Sequence, residues 1–145
     1  MSTRSHIAYT KDKGEIVSTY CHSDGYLAYN GSILYAHYDN LEQAKALVDS
    51  GYLSSLSQTL EDCDRVHDDK PTTYNNEYSY MLEMNHDIFI EYIYLFKDGK
   101  WFVSMLSSQE TDDGYNEYSH YHTKFKSLRD ELIKEGSVKI EGVAS

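Results

Sequence analysis

Residues 20–26, Tyr-Cys-His-Ser-Asp-Gly-Tyr, gather a thiol, an imidazole, a carboxylate and two phenols, and His37 follows shortly after. Two chemistries use such groups. Nucleophilic catalysis would take Cys21 as its thiolate and His22 or His37 as its base, and would further need an oriented histidine and an oxyanion hole. A structural zinc site would take Cys21, His22, His37 and Cys63, but such sites are assembled from short paired spacings of the Cys-x-x-Cys kind, and neither cysteine belongs to one. Adjacent Cys21 and His22 also point to opposite faces if a strand runs through them, which keeps them off a common ion. His120 and His122 share one face of an extended segment, yet they make a pair and not a site. The spacing therefore predicts no metal, no cofactor and no catalytic residue. Cys21 reads as a small buried side chain at the end of a strand. Asp24 reads as an Asx turn or helix cap, and Gly25 as the residue that relieves a strained φ at the corner.

The elements that must hold this corner are legible in the surrounding periodicity. Residues 6–20 read as two strands around Asp12-Lys13-Gly14, and residues 88–106 as a stronger hairpin around Asp98-Gly99, the pair that suits a two-residue turn with positive φ. In the second hairpin Tyr92, Tyr94 and Phe96 fall on one face and Ile93 and Leu95 on the other, so the strand is apolar on both sides and belongs inside a sheet or at an interface. Asn40 with Gln43 forms a capping box ahead of the stripe Leu41, Ala44, Leu47 and Val48, which stops at Gly51 and predicts a short helix. Residues 30–39, with Ile33, Leu34, His37 and Tyr38 on one face, and residues 124–135 carry two further helical stripes. Residues 54–80, with the sole proline, and residues 107–122 read as long polar, acidic loops. The expected architecture is a single α+β domain over residues 1–145, with a mainly antiparallel sheet of about four strands from two hairpins and two to three helices on one face.

Charge is the strongest global signal. The 145 residues carry 13 basic and 24 acidic side chains, a net charge of −11. Residues 61–123 hold 4 of the basic and 14 of the acidic ones. Such a field repels phosphate and anionic lipid, because binding either requires Lys and Arg to replace released counterions, so neither nucleic acid nor membrane is an expected partner. The longest apolar run is short and contains Glu91, and the first residues lack an apolar leader pattern. Two cysteines do not make a disulfide framework, which predicts a reducing, intracellular setting. Tyrosine, 15 residues against 4 phenylalanines, supplies flat amphipathic area suited to sheet surfaces and to interfaces.

Several ordered motifs in the first 56 residues add a resemblance. Thr3-Arg4-Ser5, the run Tyr20–Tyr26, Gly31 with Leu34, His37 and Tyr38, and Ser54-Ser55-Leu56 resemble a group of small phage and prophage proteins with the patterns T-R-S-x-I, Y-C-H-x-D-G-Y, G-x-x-L-x-x-H-Y and S-S-L. Residue by residue, the likeness marks Thr3, Arg4, Ser5, Cys21, His22, Asp24, Gly25, Tyr26, Gly31, Leu34, His37 and Tyr38. Ser23 departs from the group, where that position is large and aromatic. The resemblance implies a viral origin and action in the cytoplasm of an infected bacterial host; it supplies no reaction. Arg4 and Asp24 are expected to pair and pin the first residues to the corner.

Together these observations predict a non-enzymatic inhibitor of a host defence or nucleic-acid-processing protein. It would cover a basic surface on that protein, partly imitating nucleic-acid charge, with Glu61, Asp62, Asp64, Asp68, Asp69, Asp112, Asp113 and Glu117. The alternative is a small-ligand protein, for instance for a nucleotide signal, or an unrecognised enzyme, with Arg4, Cys21, His22, Asp24, Tyr26 and His37 around a pocket. A third reading is a homo-oligomeric structural or assembly protein.

Overall fold

The computed structural model describes residues 3–64, 70–86, 89–110 and 118–136, the side chains of 107–110 and 118–121 excepted. Strands β1 (Arg4–Thr10) and β2 (Ile16–Cys21) form the first hairpin. A π-type turn (Leu27–Gly31), α1 (Ser32–His37) and α2 (Leu41–Asp49) follow. A single 3-10 turn (Leu60–Asp62) leads to β3 (Thr72–Tyr74) and α3 (Glu77–Asn85). The second hairpin is β4 (Ile90–Lys97) and β5 (Lys100–Glu110), and β6 (Tyr118–His122), β7 (Lys126–Ser127) and α4 (Leu128–Glu135) complete the described chain.

All seven strands join one sheet in the order β3-β2-β1-β4-β5-β6, with β7 also paired to β5. Every pairing is antiparallel except β1 with β4, which run parallel with Ile7 opposite Tyr94 and Ala8 opposite Leu95. The α+β class expected from the sequence is therefore what the chain adopts, with a larger sheet than four strands. The two hairpins lie side by side because β1 and β4 are apolar on both faces, and a strand of that kind is stable only with neighbours on both edges and cover on both sides.

Alternation along the strands builds two cores. Ile7, Tyr9, Val17, Cys21, Tyr94, Phe96, Trp101 and Val103 face α1, α2 and α4 and pack with Leu34, Leu47, Val48, Leu128 and Leu132. Ala8, Ile16, Ile93 and Leu95 face the other way and pack under Tyr80 and Met84 of α3. This corrects the expectation of helices on a single face. α3 covers the second face, which would otherwise leave Ile93 and Leu95 in water. The helix begins inside the 54–80 segment expected to be a loop and β3 lies wholly within it, while the end of β5 and all of β6 occupy parts of the 107–122 segment expected to be another. The Asp98-Gly99 turn takes positive φ at both residues, 54° and 80°, as its sequence predicts. α2 begins where expected, with the Asn40 side chain accepting from the Gln43 N–H at 2.9 Å. The last helix begins later than its stripe suggested, since Lys126 and Ser127 pair with β5 before the Ser127 cap.

Candidate functional site

The corner after β2 is a packed joint. Asp24 takes the left-handed φ of 58°, so it is Asp24 and not Gly25 that turns the chain, a conformation short polar side chains tolerate best after glycine. Gly25 is required for space instead: a Cβ there would lie 2.8 Å from Ser5 Cβ and 2.9 Å from the Thr3 carbonyl. Its N–H donates to Thr3 O at 2.8 Å, and its carbonyl accepts from the buried Tyr94 hydroxyl at 2.6 Å. Asn30, fully buried on the π-type turn, donates toward Ser23 O at 3.3 Å, Ser5 Oγ at 3.4 Å and Cys21 Sγ at 3.5 Å.

These contacts decide what the corner can do chemically. Cys21 is completely buried in the larger core, and burial pushes its thiol up to about 11 from the ordinary 9.0, with Asn30 and the Ser23 carbonyl pulling weakly the other way. His22 turns to the opposite face of the sheet, where its Nδ1 lies 3.0 Å from the Tyr20 hydroxyl. Tyr26 and His37 are exposed. Arg4 does not reach Asp24 in any ion pair among the described residues; its guanidinium carbon lies 5.5 Å from the Phe89 ring centroid, and the expected pairing is replaced by the Gly25–Thr3 backbone bond. Among the described residues no group of three or more His, Cys, Asp and Glu side chains is arranged to hold a metal ion. The geometry thus offers neither an accessible nucleophile nor a base beside it.

Cys21 gives the corner a measurable signature. In the folded protein, alkylation of Cys21 at about pH 8 is expected to run at least tenfold slower than in the unfolded chain, as read by mass spectrometry. Equal rates would contradict its burial. A raised folded-state pKa also fixes the sign of a pH effect: the folded state holds this proton more tightly, so its contribution is intact below pH 9.0 and is lost as pH climbs toward 11. The buried hydroxyls of Tyr80 and Tyr94 are shifted upward by desolvation and add to the same alkaline loss. The denaturant midpoint is therefore expected to fall between about pH 9 and pH 11.

Residues 61–64, the described part of the acidic run, are tied down by backbone and side-chain bonds. Asp64 is bridged to Ser54 and Ser55, with Ser54 N–H donating to Asp64 O at 2.7 Å and Asp64 N–H to Ser55 O at 3.1 Å. Thr59 caps the 3-10 turn through its side chain, accepting from Asp62 N–H at 3.3 Å and donating to Asp62 Oδ2 at 2.9 Å. Between them Cys63 is buried in the core, where its Sγ accepts from Ser57 N–H at 3.2 Å. Glu61, Asp62 and Asp64 consequently project into solvent from a pinned platform, and none of the three joins an ion pair among the described residues. Asp68, Asp69, Asp112, Asp113 and Glu117 lie outside the described residues.

No protein family, curated protein or solved structure matches the chain. Its site therefore has to be read from its own geometry. Among the described residues no helix is long and apolar enough to cross a membrane.

The second face of the sheet carries a cleft that no local sequence pattern marks. α3, the β4–β5 hairpin and the chain between β6 and β7 line this open cleft of about 600 Å³. Its wall is set by His122, which is 7% exposed. The Nδ1 of His122 lies 3.0 Å from Asn85 Oδ1, its Nε2 lies 2.7 Å from Ile90 O, and its backbone N–H donates to the same Asn85 oxygen at 2.9 Å. Spacing alone pairs His122 with His120. Nothing in local spacing points to Asn85 or Ile90 as its partners.

Proposed function

We propose that this protein is a non-enzymatic, phage-type inhibitor that occupies the basic nucleic-acid-binding surface of a host protein. The observation that supports the reading best is the pinned carboxylate platform of Glu61, Asp62 and Asp64. These are exposed charges, free of Lys or Arg partners among the described residues, in a stretch with 14 acidic against 4 basic side chains. A fixed anionic surface raises the rate of encounter with a basic partner, and it loses less side-chain entropy on docking than a mobile tail would. The likeness of the first 56 residues to small phage proteins supports the same class.

The test is capture of purified bacterial nucleic-acid-binding proteins on the immobilised protein. Capture is expected to fall steeply between low salt and about 0.5 M salt. It is also expected to drop about tenfold in the triple variant Glu61→Gln, Asp62→Asn, Asp64→Asn. Capture that ignores salt, or that is equal for the triple variant, defeats this reading. A small-ligand role has its own supporting observation in the cleft beneath α3, which is a different place from the Cys21 corner.

A further inference from the structure

We infer that His122 is a buried imidazolium at neutral pH, a protonated latch that joins α3, β4 and β6 and lets go as pH rises. The atoms facing its ring require the second proton. The His122 backbone N–H donates to Asn85 Oδ1 at 2.9 Å, and this bond fixes the orientation of the amide, because the flipped amide would set its NH2 group against an N–H. The same oxygen lies 3.0 Å from the ring Nδ1, so Nδ1 has to be the donor. The other ring nitrogen, Nε2, lies 2.7 Å from the Ile90 carbonyl oxygen, which can only accept. A neutral imidazole has one N–H and one lone pair, and here the lone pair would be turned on an oxygen whichever tautomer formed. Only the doubly protonated ring satisfies both contacts.

A cation that is only 7% exposed has lost most of its hydration, and the fold has to offset that cost. Two charge-assisted hydrogen bonds do part of it. The end of α3 adds to them: the helix stops at Asn85 and has no basic residue in its own last turn, so a cation held by Asn85 stands at the negative pole of its dipole. Around His122, α3 and its cap carry Glu77, Glu83 and His86, β4 carries Glu91 and Lys97, and Lys124 follows β6. On β5, Lys100 begins the strand, far from Leu106, which is the residue paired with His122. Glu77 is already held by Lys97 at 3.1 Å, which leaves Glu83 and Glu91 against Lys124, a balance that does not oppose a further cation. Loss of either ring proton turns an attractive contact into a lone pair facing an oxygen, and so loosens the tie between the end of α3, the start of β4 and the end of β6. Asn85 and His122 both line the cleft, so the wall they form is what gives way. The folded state holds this proton more tightly than the unfolded chain, whose histidines titrate at about 6.5, so the stability it contributes is whole below that value and is lost as pH rises through the folded-state value.

The test is nitrogen NMR of the unmodified full chain with its seven histidines isotopically labelled. It is read at about pH 8, where an ordinary histidine, titrating at about 6.5, is almost entirely neutral. Both ring nitrogens of His122, assigned by through-bond correlation to its own backbone, are expected to carry protons. One protonated and one bare nitrogen at that pH would overturn the inference. As pH is raised further, the methyl groups of Met81 and Met84 on α3 are expected to shift with the same midpoint as the His122 ring. A ring that titrates while those methyl groups stay put would overturn the latch. Asn85→Ala removes one acceptor and leaves Nδ1 free to keep a lone pair, so it is expected to lower the His122 midpoint by at least about one pH unit, a tenfold weaker hold on the proton. An unchanged midpoint in a folded Asn85→Ala would show that the facing oxygens do not set the protonation state, and the measurement on the unmodified chain decides the matter even if that variant does not fold.

Discussion

Gly25→Ala is expected to destabilise the protein by about 2–4 kcal/mol, a large effect for a single methyl group. The added Cβ would sit 2.8 Å from Ser5 Cβ and 2.9 Å from the Thr3 carbonyl, closer than real Cβ contacts come. Neither neighbour can retreat easily. Ser5 lies in β1 between β2 and β4, paired with Cys21 on one side and Tyr92 on the other. Moving Gly25 outward would instead lengthen its N–H bond to Thr3 and the Tyr94 hydroxyl bond to its carbonyl, leaving the Tyr94 hydroxyl, buried in the core, without that acceptor. The measurement is chemical denaturation followed by the single, buried Trp101. Gly14→Ala is the internal comparison, because Gly14 has a φ of 90° with open space around its Cβ position and should lose only about 1–2 kcal/mol to left-handed strain. If the two variants are equally stable, the corner is not the close-packed joint described above.

His122→Leu is expected to produce a loss of similar size, about 2–4 kcal/mol, although leucine is apolar and close in volume. The imidazole places one ring nitrogen against Asn85 Oδ1 and the other against the Ile90 carbonyl, tying the end of α3 and the start of β4 to the last residue of β6. Leucine removes the ring donor from the buried Ile90 carbonyl, and losing a buried bond is more damaging than losing an exposed one. Asn85→Ala should cost less, about 1–2 kcal/mol, since it removes one acceptor and leaves the Ile90 bond in place. Wild-type stability in His122→Leu would show that these bonds do not hold the elements together.

The parts of the fold that were legible in sequence are those governed by neighbours in the chain. Asp98-Gly99 specified its hairpin because two consecutive positive φ values are cheap for that pair, and Asn40 specified the start of α2 because its side chain replaces a missing backbone acceptor. α3 was hidden for an equally physical reason. Its apolar residues run round the whole helix, with Tyr80 and Met84 buried while Tyr78 and Leu82 are exposed, so no stripe emerges. The one local clue was Asn76, whose side chain caps the helix by accepting from Ser79 N–H at 2.8 Å.

The chemistry of Cys21-His22-Ser23-Asp24-Gly25 divides along the same line. Sequence determined the strand that ends at Cys21, the opposite facing of Cys21 and His22, and the presence of a corner, since each follows from alternation or from residue type over a few positions. Tertiary structure decided which residue takes the positive φ, that Gly25 answers to Ser5 and Thr3 and not to its own torsion, and that Arg4 turns to Phe89 instead of Asp24. It also decided the parallel joining of β1 to β4 and the cleft anchored by His122. Those features depend on pairs far apart in the chain, whose approach is set by burying two apolar faces of one sheet at once, and no local pattern encodes which distant strand will be the neighbour.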